Sequence, residues 1–321
     1  MTERYTPQIV FLWVMILVCG TFTACSFHDD NDSCPMYVEF MYDYNMANED
    51  KFAEQCGRIE LFVFDGTGTL IQRIEDEGEH LARTGYRIPL VLSGGTYTLM
   101  AWSGDIAPFS YVKEPVLNST KKEELVLRLD RQSDEFSAEL KPLWNVTSAV
   151  PFTIERSFGY VKTLKLLKNT NRINLTLHGG EDTVLPALDD IEVKLTACNG
   201  AYHYDNRFAD QELIIYRPFA AAIPKADQFS FSLSTLRLVQ GQEVLLSAVD
   251  RTTGYSLLPS AQIDVIEYLL RTLPAGMAAQ EYLDREDTWN IDLYLSRSGS
   301  PYMAVMIKIN GWTVWNQSGS L

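Results

Sequence analysis

Apolar and polar residues alternate over many short segments of this chain, which is the pattern of β-strands with one buried face. Val38, Phe40, Tyr42 and Tyr44 share one face of the first segment, and residues 59–64 are apolar on both faces, as expected for a central strand. Turn signals rich in glycine and serine separate the segments. Many short strands with turns between them predict an all-β fold of the sandwich or barrel class.

The alternation weakens near residues 151–159 and then resumes in the same style. A chain of 321 residues is long enough for two domains of ordinary size. We therefore predict two β-sandwiches in tandem, the first over residues 34–157 and the second over residues 158–321.

One or two short helices are predicted within this β pattern. Residues 45–55 favour a short helical turn between two strands, and Ser260 is a candidate N-cap of a second helix. The apolar residues of that second helix recur at spacings of three and four: Ile263, Ile266, Leu270 and Leu273.

The amino-terminal segment has the pattern of a bacterial lipoprotein signal. Residues 9–18 are apolar, which is shorter than the roughly 20 residues that span a bilayer and fits the core of a signal peptide. Cys25 follows Phe22-Thr23-Ala24, in which Phe22 stands where such signals more commonly carry leucine. We predict that residues 1–24 are cleaved, that Cys25 carries lipid and that residues 25–33 form an acidic tether. The alternatives are a signal peptide cut elsewhere and an uncleaved anchor.

The composition limits the classes of partner and cofactor. The formal net charge is −15, which argues against nucleic acid, because that binding requires lysine and arginine to displace counterions. The four histidines are scattered and no Cys-x-x-Cys spacing occurs, so we predict no metal site and no cofactor.

Three cysteines follow the predicted lipid site: Cys34, Cys56 and Cys198. Cys34 and Cys56 each precede a predicted strand, so a disulfide between them would join the first strand to the second. Such a bond would stabilise the fold by about 3 kcal/mol. The sequence leaves open whether the two cysteines pair.

One stretch resembles a catalytic motif. Residues 64–69, FDGTGT, are similar to the phosphorylation motifs of P-type pumps and haloacid-dehalogenase phosphatases, in which an aspartate after a buried strand is the nucleophile. Gly66 and Thr67 stand where those motifs carry a lysine or a second aspartate, and no acidic magnesium loop follows. We interpret Asp65 and its glycines as a hairpin turn, and we predict that the protein is not an enzyme.

A second candidate for chemistry is the aromatic and polar loop at residues 202–206. Such a loop can form a sugar-binding tip, and glycan binding is therefore one alternative function. Hairpins also commonly end in this way, and we favour that interpretation.

Six segments in a fixed order carry a resemblance to a known family. They are residues 34–45 (CPMYVEFMYDYN), 58–71 (RIELFVFDGTGTLI), 93–104 (SGGTYTLMAWSG), 164–177 (LKLLKNTNRINLTL), 282–295 (YLDREDTWNIDLYL) and 307–316 (IKINGWTVWN). Together with the lipoprotein signal they resemble the FimB-type fimbrial lipoproteins of Bacteroides-like bacteria, the anchoring or minor subunits of type V pili.

The resemblance implies two transthyretin-like β-sandwiches, a lipid anchor in the outer membrane and pilin subunits of the same fimbria as partners. It also implies that subunits join by strand complementation, in which a donated strand fills an open groove. The alternatives to an anchor are a tip or adhesive subunit of the fimbria and a surface glycan-binding lipoprotein.

A donor strand should be long, alternating and near a terminus. Residues 302–315 meet these conditions, and four of them are candidates for one apolar row. They are Val305, Ile307, Ile309 and Trp312. We favour the alternative that this strand pairs within its own sheet and keep donation as a hypothesis.

Overall fold

The computed structural model describes residues 35–146, 151–155, 159–180, 185–296 and 302–317. Strands account for most of the regular structure and the helices are short, which confirms the predicted all-β class.

The strands of the first half, in chain order, are β1 (Met36–Met41), β2 (Arg58–Phe64), β3 (Leu70–Glu77), β4 (Arg87–Leu90), β5 (Gly95–Gly104), β6 (Phe109–Tyr111), β7 (Val126–Leu129), β8 (Glu135–Phe136), β9 (Leu143–Val146), β10 (Phe152–Ile154) and β11 (Val161–Lys168). Those of the second half are β12 (Thr170–Gly179), β13 (Ile191–Ala197), β14 (Ala201–His203), β15 (Ile214–Tyr216), β16 (Ala220–Lys225), β17 (Gln228–Leu236), β18 (Val244–Asp250), β19 (Ile263–Asp264), β20 (Thr288–Ser296), β21 (Met303–Ile309) and β22 (Trp312–Asn316).

Eight strands form the first sheet in the order β3-β2-β5-β9-β11-β1-β4, with β10 paired to β5. Apart from Arg58 and Glu60, β2 is apolar on both faces because both faces are covered: Leu61 lies in one hydrophobic core and Phe62 in another. This arrangement confirms the prediction of a central strand over residues 59–64.

β11 follows the predicted domain boundary in the chain but pairs with strands of the first half. β11 runs parallel to β1 and antiparallel to β9, so it is an interior strand of the first sheet although it follows the predicted boundary at residues 157 and 158. The chain leaves the first sheet only after Lys168. β10 lies within the stretch of weakened alternation at residues 151–159 and β11 follows it, and both strands belong to the first sheet. The division into two domains at residues 157 and 158 stays a prediction.

Two sheets of the second half enclose its core. The six-stranded sheet has the order β16-β17-β12-β20-β21-β22, and the five-stranded sheet has the order β19-β18-β13-β15-β8. Alternate residues of the long strands point into one shared core, among them Ile173, Leu175, Val193, Leu195 and Leu246. The period of two in the sequence therefore marks the buried faces of this sandwich.

The two halves exchange strands and share a core. β14 of the second half pairs with β7 of the first, and β8 of the first half pairs with β15 of the second. Phe62, Met100 and Trp102 of the first sheet belong to the same hydrophobic cluster as the second sandwich. The halves are consequently tied by backbone pairing as well as by the chain itself.

The helices are shorter than the sequence predicts at one site. α1 (Phe52–Gln55) confirms the predicted helical turn. α2 (Val265–Leu269) begins after Asp264, whose carboxylate accepts hydrogen bonds from the amides of Ile266 and Glu267, so the N-cap is Asp264 and not Ser260. The predicted start is wrong because Ile263 and Asp264 pair with β18 as β19.

A third helix, α3 (Ala279–Arg285), and four 3-10 turns complete the described elements. The turns lie at Glu79–Ala82, Lys122–Glu124, Leu188–Asp190 and Leu270–Thr272. No helix in the described part of the chain is long and apolar enough to cross a membrane.

Cys56 is buried in the core of the first sheet, and burial raises the pKa of its thiol to about 12. Cys56 and Cys198 form no disulfide with another described residue. Cys34 and Cys25 lie outside the described residues, so both the disulfide and the lipid site stay predictions.

Candidate functional site: the exposed sheet edges

The catalytic resemblance at residues 64–69 is explained by turn geometry. One carboxylate oxygen of Asp65 accepts hydrogen bonds from the amide and hydroxyl of Thr67 at 2.8 Å and from the amide of Thr69 at 3.0 Å. These bonds, that of Thr69 first, lower the pKa of Asp65. Gly68 has φ +76°, which the turn requires. Asp65 is therefore a turn residue, and no metal-binding group of three or more His, Cys, Asp or Glu occurs within the described ranges.

The aromatic loop at residues 202–206 is part of the core. Tyr202 is fully buried, and its hydroxyl oxygen accepts a hydrogen bond from the amide of Arg237 at 3.0 Å. Asn206 is also buried and exchanges side-chain hydrogen bonds with Asn169 at 2.6 and 3.0 Å. This loop does not present Tyr202 as a surface platform for a sugar.

The candidate donor strand is paired within its own sheet, the arrangement that the sequence favoured. β21 lies between β20 and β22 and buries Ile307 and Ile309 completely. A bulge leaves Val305 out of the register with β20, and Ala304 takes the buried place. Trp312 lies beyond a turn and is 72% exposed. The four candidate residues therefore do not form one continuous row.

The outer edge of β22 is partly blocked. Val314 has no partner in the β21 register, and its carbonyl accepts a hydrogen bond from Arg271 at 3.0 Å. Arg271 is held by Glu267, with 2.7 Å between their charged atoms. An added strand on this side would have to displace that guanidinium.

The other described edges carry the usual protections against strand addition. β3 is rich in charge from Arg73 to Glu77, and β4 has only four residues and contains Pro89. The edges of the five-stranded sheet, β8 and β19, have two residues each. None of these strands offers a long apolar backbone edge.

β16 differs from all of them. All six of its residues are exposed, and among the described residues it pairs with β17 alone. The first four are Ala220, Ala221, Ala222 and Ile223, and Ile223 is 57% exposed. Protective residues occur only at the end, at Pro224 and Lys225. The pairing with β17 is irregular between Ala222 and Lys225, so the open apolar part of β16 is its first four residues. Sequence alternation did not reveal this edge because neither face is buried.

Comparison with known proteins places this fold among fimbrial proteins. The family model of the fimbrillin-A associated anchor proteins Mfa1 and Mfa2 matches residues 31–318. The minor fimbrium anchoring subunit Mfa2 of Porphyromonas gingivalis is 25% identical over 317 residues, which cover 96% of this chain and 93% of that protein.

Solved structures share the fold over most of the chain. The fimbrial anchor protein Mfa2 from Porphyromonas gingivalis has a TM-score of 0.73 at 21% identity and covers 88% of this chain and 100% of its own. A Bacteroides thetaiotaomicron protein has a TM-score of 0.80 at 24% identity and covers 89% of this chain and 100% of its own. The fold described above is therefore that of an already known structural group.

Proposed function

The chain belongs to the family of fimbrillin-A associated anchor proteins, and we propose from that membership that it is a non-enzymatic anchor or minor subunit of a type V fimbria. The observation that carries the proposal is the family match, which extends over residues 31–318. Lipid on Cys25 holds the protein in the outer membrane, with the folded body at the cell surface, and its partners are the fimbrial subunits.

We further propose that a fimbrial subunit joins this protein by strand addition at β16. An edge strand presents unpaired amide and carbonyl groups, and an extended partner segment satisfies them. The alanines of β16 leave room for larger side chains of the incoming strand on both faces. β16 is favoured over the other described edge strands as the site of strand addition. β3 is charged, β4 is short and the edge of β22 is covered by Arg271.

Donation of residues 302–315 to a fimbrial subunit stays a second hypothesis for how the two proteins bind each other. It requires the pairing of β21 with β20 to open, and this exposes Ile307 and Ile309, which are fully buried. Burying an isoleucine side chain contributes about 1.5–3 kcal/mol, so the opening is costly before any partner binds. Strand addition at β16 has no such cost.

Lysine at the β16 edge is expected to weaken capture of the fimbrial subunit. The double variant Ala221→Lys, Ala222→Lys places two ammonium groups where a partner strand must approach, and edge lysines oppose pairing. We expect subunit co-purifying from detergent extracts to fall roughly tenfold or more, equivalent to about 1.4 kcal/mol.

The matched control is Thr313→Lys on β22, an exposed position at the opposite edge of the same sheet. It is expected to retain the subunit, and melting curves verify that both variants are folded. Loss of capture in the Thr313→Lys protein alone would show that the fimbrial subunit binds at the C-terminal strands. Undiminished capture by both proteins would overturn strand addition at either edge.

A further inference from the structure

We propose that the parallel pair β1 and β11 is the force-resisting junction of this protein, arranged so that a pull on the N-terminus loads it in shear. The direction of the pull rests on the proposed lipid at Cys25. Cys25 precedes Met36 in the chain, so tension from the membrane arrives at the N-terminal end of β1.

The opposing pull arrives at the other end of the neighbouring strand. β11 lies beside β1 in parallel, in register from Tyr37 opposite Val161 to Met41 opposite Lys165. β11 ends at Lys168 and the chain passes directly into β12 of the six-stranded sheet. That sheet also carries the open edge β16. Tension between membrane and fimbria therefore acts on opposite ends of two adjacent parallel strands.

This geometry decides how the backbone hydrogen bonds fail. When two paired strands are pulled along their length in opposite directions, all the bonds between them share the load and must break together. When the strands are pulled apart from one end, each bond carries the whole load in turn. A single hydrogen bond contributes only about 1 kcal/mol net. The strand pair therefore resists a pulling force well only when all its hydrogen bonds share that force.

Side chains reinforce β1 on its exposed face. Glu39 accepts hydrogen bonds from Arg87 of β4 at 2.7 Å and from Thr163 of β11 at 3.4 Å, so it joins three adjacent strands. Just beyond β1, Asp43 pairs with Lys165 of β11 at 2.7 Å. The alternate residues of β1 are buried in the core of the first sheet: Met36, Val38 and Phe40.

The far end of β1 is also held directly by the second half. Arg285, the last residue of α3, donates hydrogen bonds to the carbonyl of Asn45 at 3.1 Å and to the side chain of Asn48 at 2.9 Å. Its guanidinium lies 4.2 Å from the ring centroid of Tyr44. This contact fixes the loop after β1 to the sandwich that follows Lys168, so slippage of β1 also has to break it.

α3 is itself firmly attached to the second sandwich. Asp284 is buried and forms a two-pronged ion pair with Arg237, with both donor–acceptor distances at 2.8 Å. Arg237 follows directly on β17 of the six-stranded sheet. Force on the six-stranded sheet therefore reaches Arg285 through a short chain of charged contacts.

Single-molecule pulling in two geometries tests the proposal on one protein. The body from residue 25 onward is attached by an N-terminal ligation tag and by an azide-bearing amino acid at position 161 or 165. Both positions are exposed, lie on the same strand and point to the same face. The protein with the handle at position 161 also carries Lys165→Ala, so that both proteins lack the ion pair between Lys165 and Asp43. Position 165 loads β1 against β11 in shear, whereas position 161 opens the pair from one end.

We expect a higher mean rupture force through position 165 than through position 161 at the same loading rate. Equal forces, or a lower force through position 165, overturn the proposal. The comparison is independent of the proposed function: it holds or fails for the unlipidated body, whether or not Cys25 carries lipid in cells.

A second comparison tests the contribution of Arg285. With the second handle at position 222 on β16, Arg285→Ala is expected to lower the rupture force, and Arg207→Ala is expected to leave it unchanged. Arg207 is the matched control because its ion pair with Asp205 is exposed and lies within the second half. An unchanged rupture force in the Arg285→Ala protein would show that α3 does not contribute to the force-resisting junction. The role of the β1–β11 pair is then decided by the comparison of positions 161 and 165.

Discussion

Replacing Cys25 with alanine is expected to release the protein from the membrane fraction into the soluble fraction. Each buried CH2 group of a lipid chain contributes about 0.8 kcal/mol, so several acyl chains on one cysteine hold far more firmly than one chain does. The measurement is fractionation of cells with metabolic labelling by a clickable fatty acid. We expect the label to disappear from the Cys25→Ala protein.

Cys34→Ala is the matched control, since it removes a nearby cysteine that the signal pattern does not assign to lipid. It is expected to keep the label and the membrane location. Retention of label by the Cys25→Ala protein would show that Cys25 is not the lipid site.

The same variant separates an anchor from a tip subunit. If the protein is an anchor, fimbriae of the Cys25→Ala cells are expected to detach into the medium. Fimbriae that stay attached, with the protein found at their distal ends, would favour the tip role and leave Cys25 without a function in holding the fimbria.

The largest expected loss of stability follows from Arg73→Ala. Glu60 on β2 is fully buried, and Arg73 on β3 approaches its carboxylate at 2.6 and 2.7 Å. Arg58 lies farther away, at 3.6 Å. Without Arg73, a buried carboxylate loses its closest counter-charge, which destabilises a fold by about 3–5 kcal/mol. The urea midpoint of unfolding is the measurement.

Two comparisons show whether the buried charge is the cause. The double variant Glu60→Leu, Arg73→Met removes both charges and is expected to recover much of the lost stability. Arg207→Ala removes an exposed ion pair and is expected to change stability by no more than about 1 kcal/mol. A double variant as unstable as Arg73→Ala would assign the loss to packing of the arginine side chain on Phe62 and Tyr111 instead.

The local features of this protein follow from its sequence. The period of two identifies the buried face of β1 at Val38 and Phe40, because side chains of a strand alternate between its faces. The turn at Asp65 can be predicted from the sequence because it depends on neighbouring residues. The carboxylate of Asp65 accepts hydrogen bonds from amides only two and four residues later, and glycines allow the backbone to turn. The order of weak motifs indicated the fimbrial family, which the family match confirms.

One error arose where a distant strand competed with a local preference. The spacing of Ile263 and Ile266 favours a helix from Ser260, yet pairing with β18 holds Ile263 extended and delays the helix to Val265. The segment before β11 resembles a linker locally, yet β11 itself pairs with β1, a strand more than a hundred residues earlier.

The amino-acid sequence by itself determined the strand class, the turn at Asp65, the lipoprotein signal pattern and the family resemblance, since each depends on neighbouring residues. The tertiary structure alone decided that β1 lies beside β11, that Arg285 of α3 binds the loop after β1 and that β16 is an open edge. These arrangements depend on backbone hydrogen bonds and contacts between residues far apart in the chain. Backbone groups are the same in almost every residue, so the sequence carries no local mark of which strands pair.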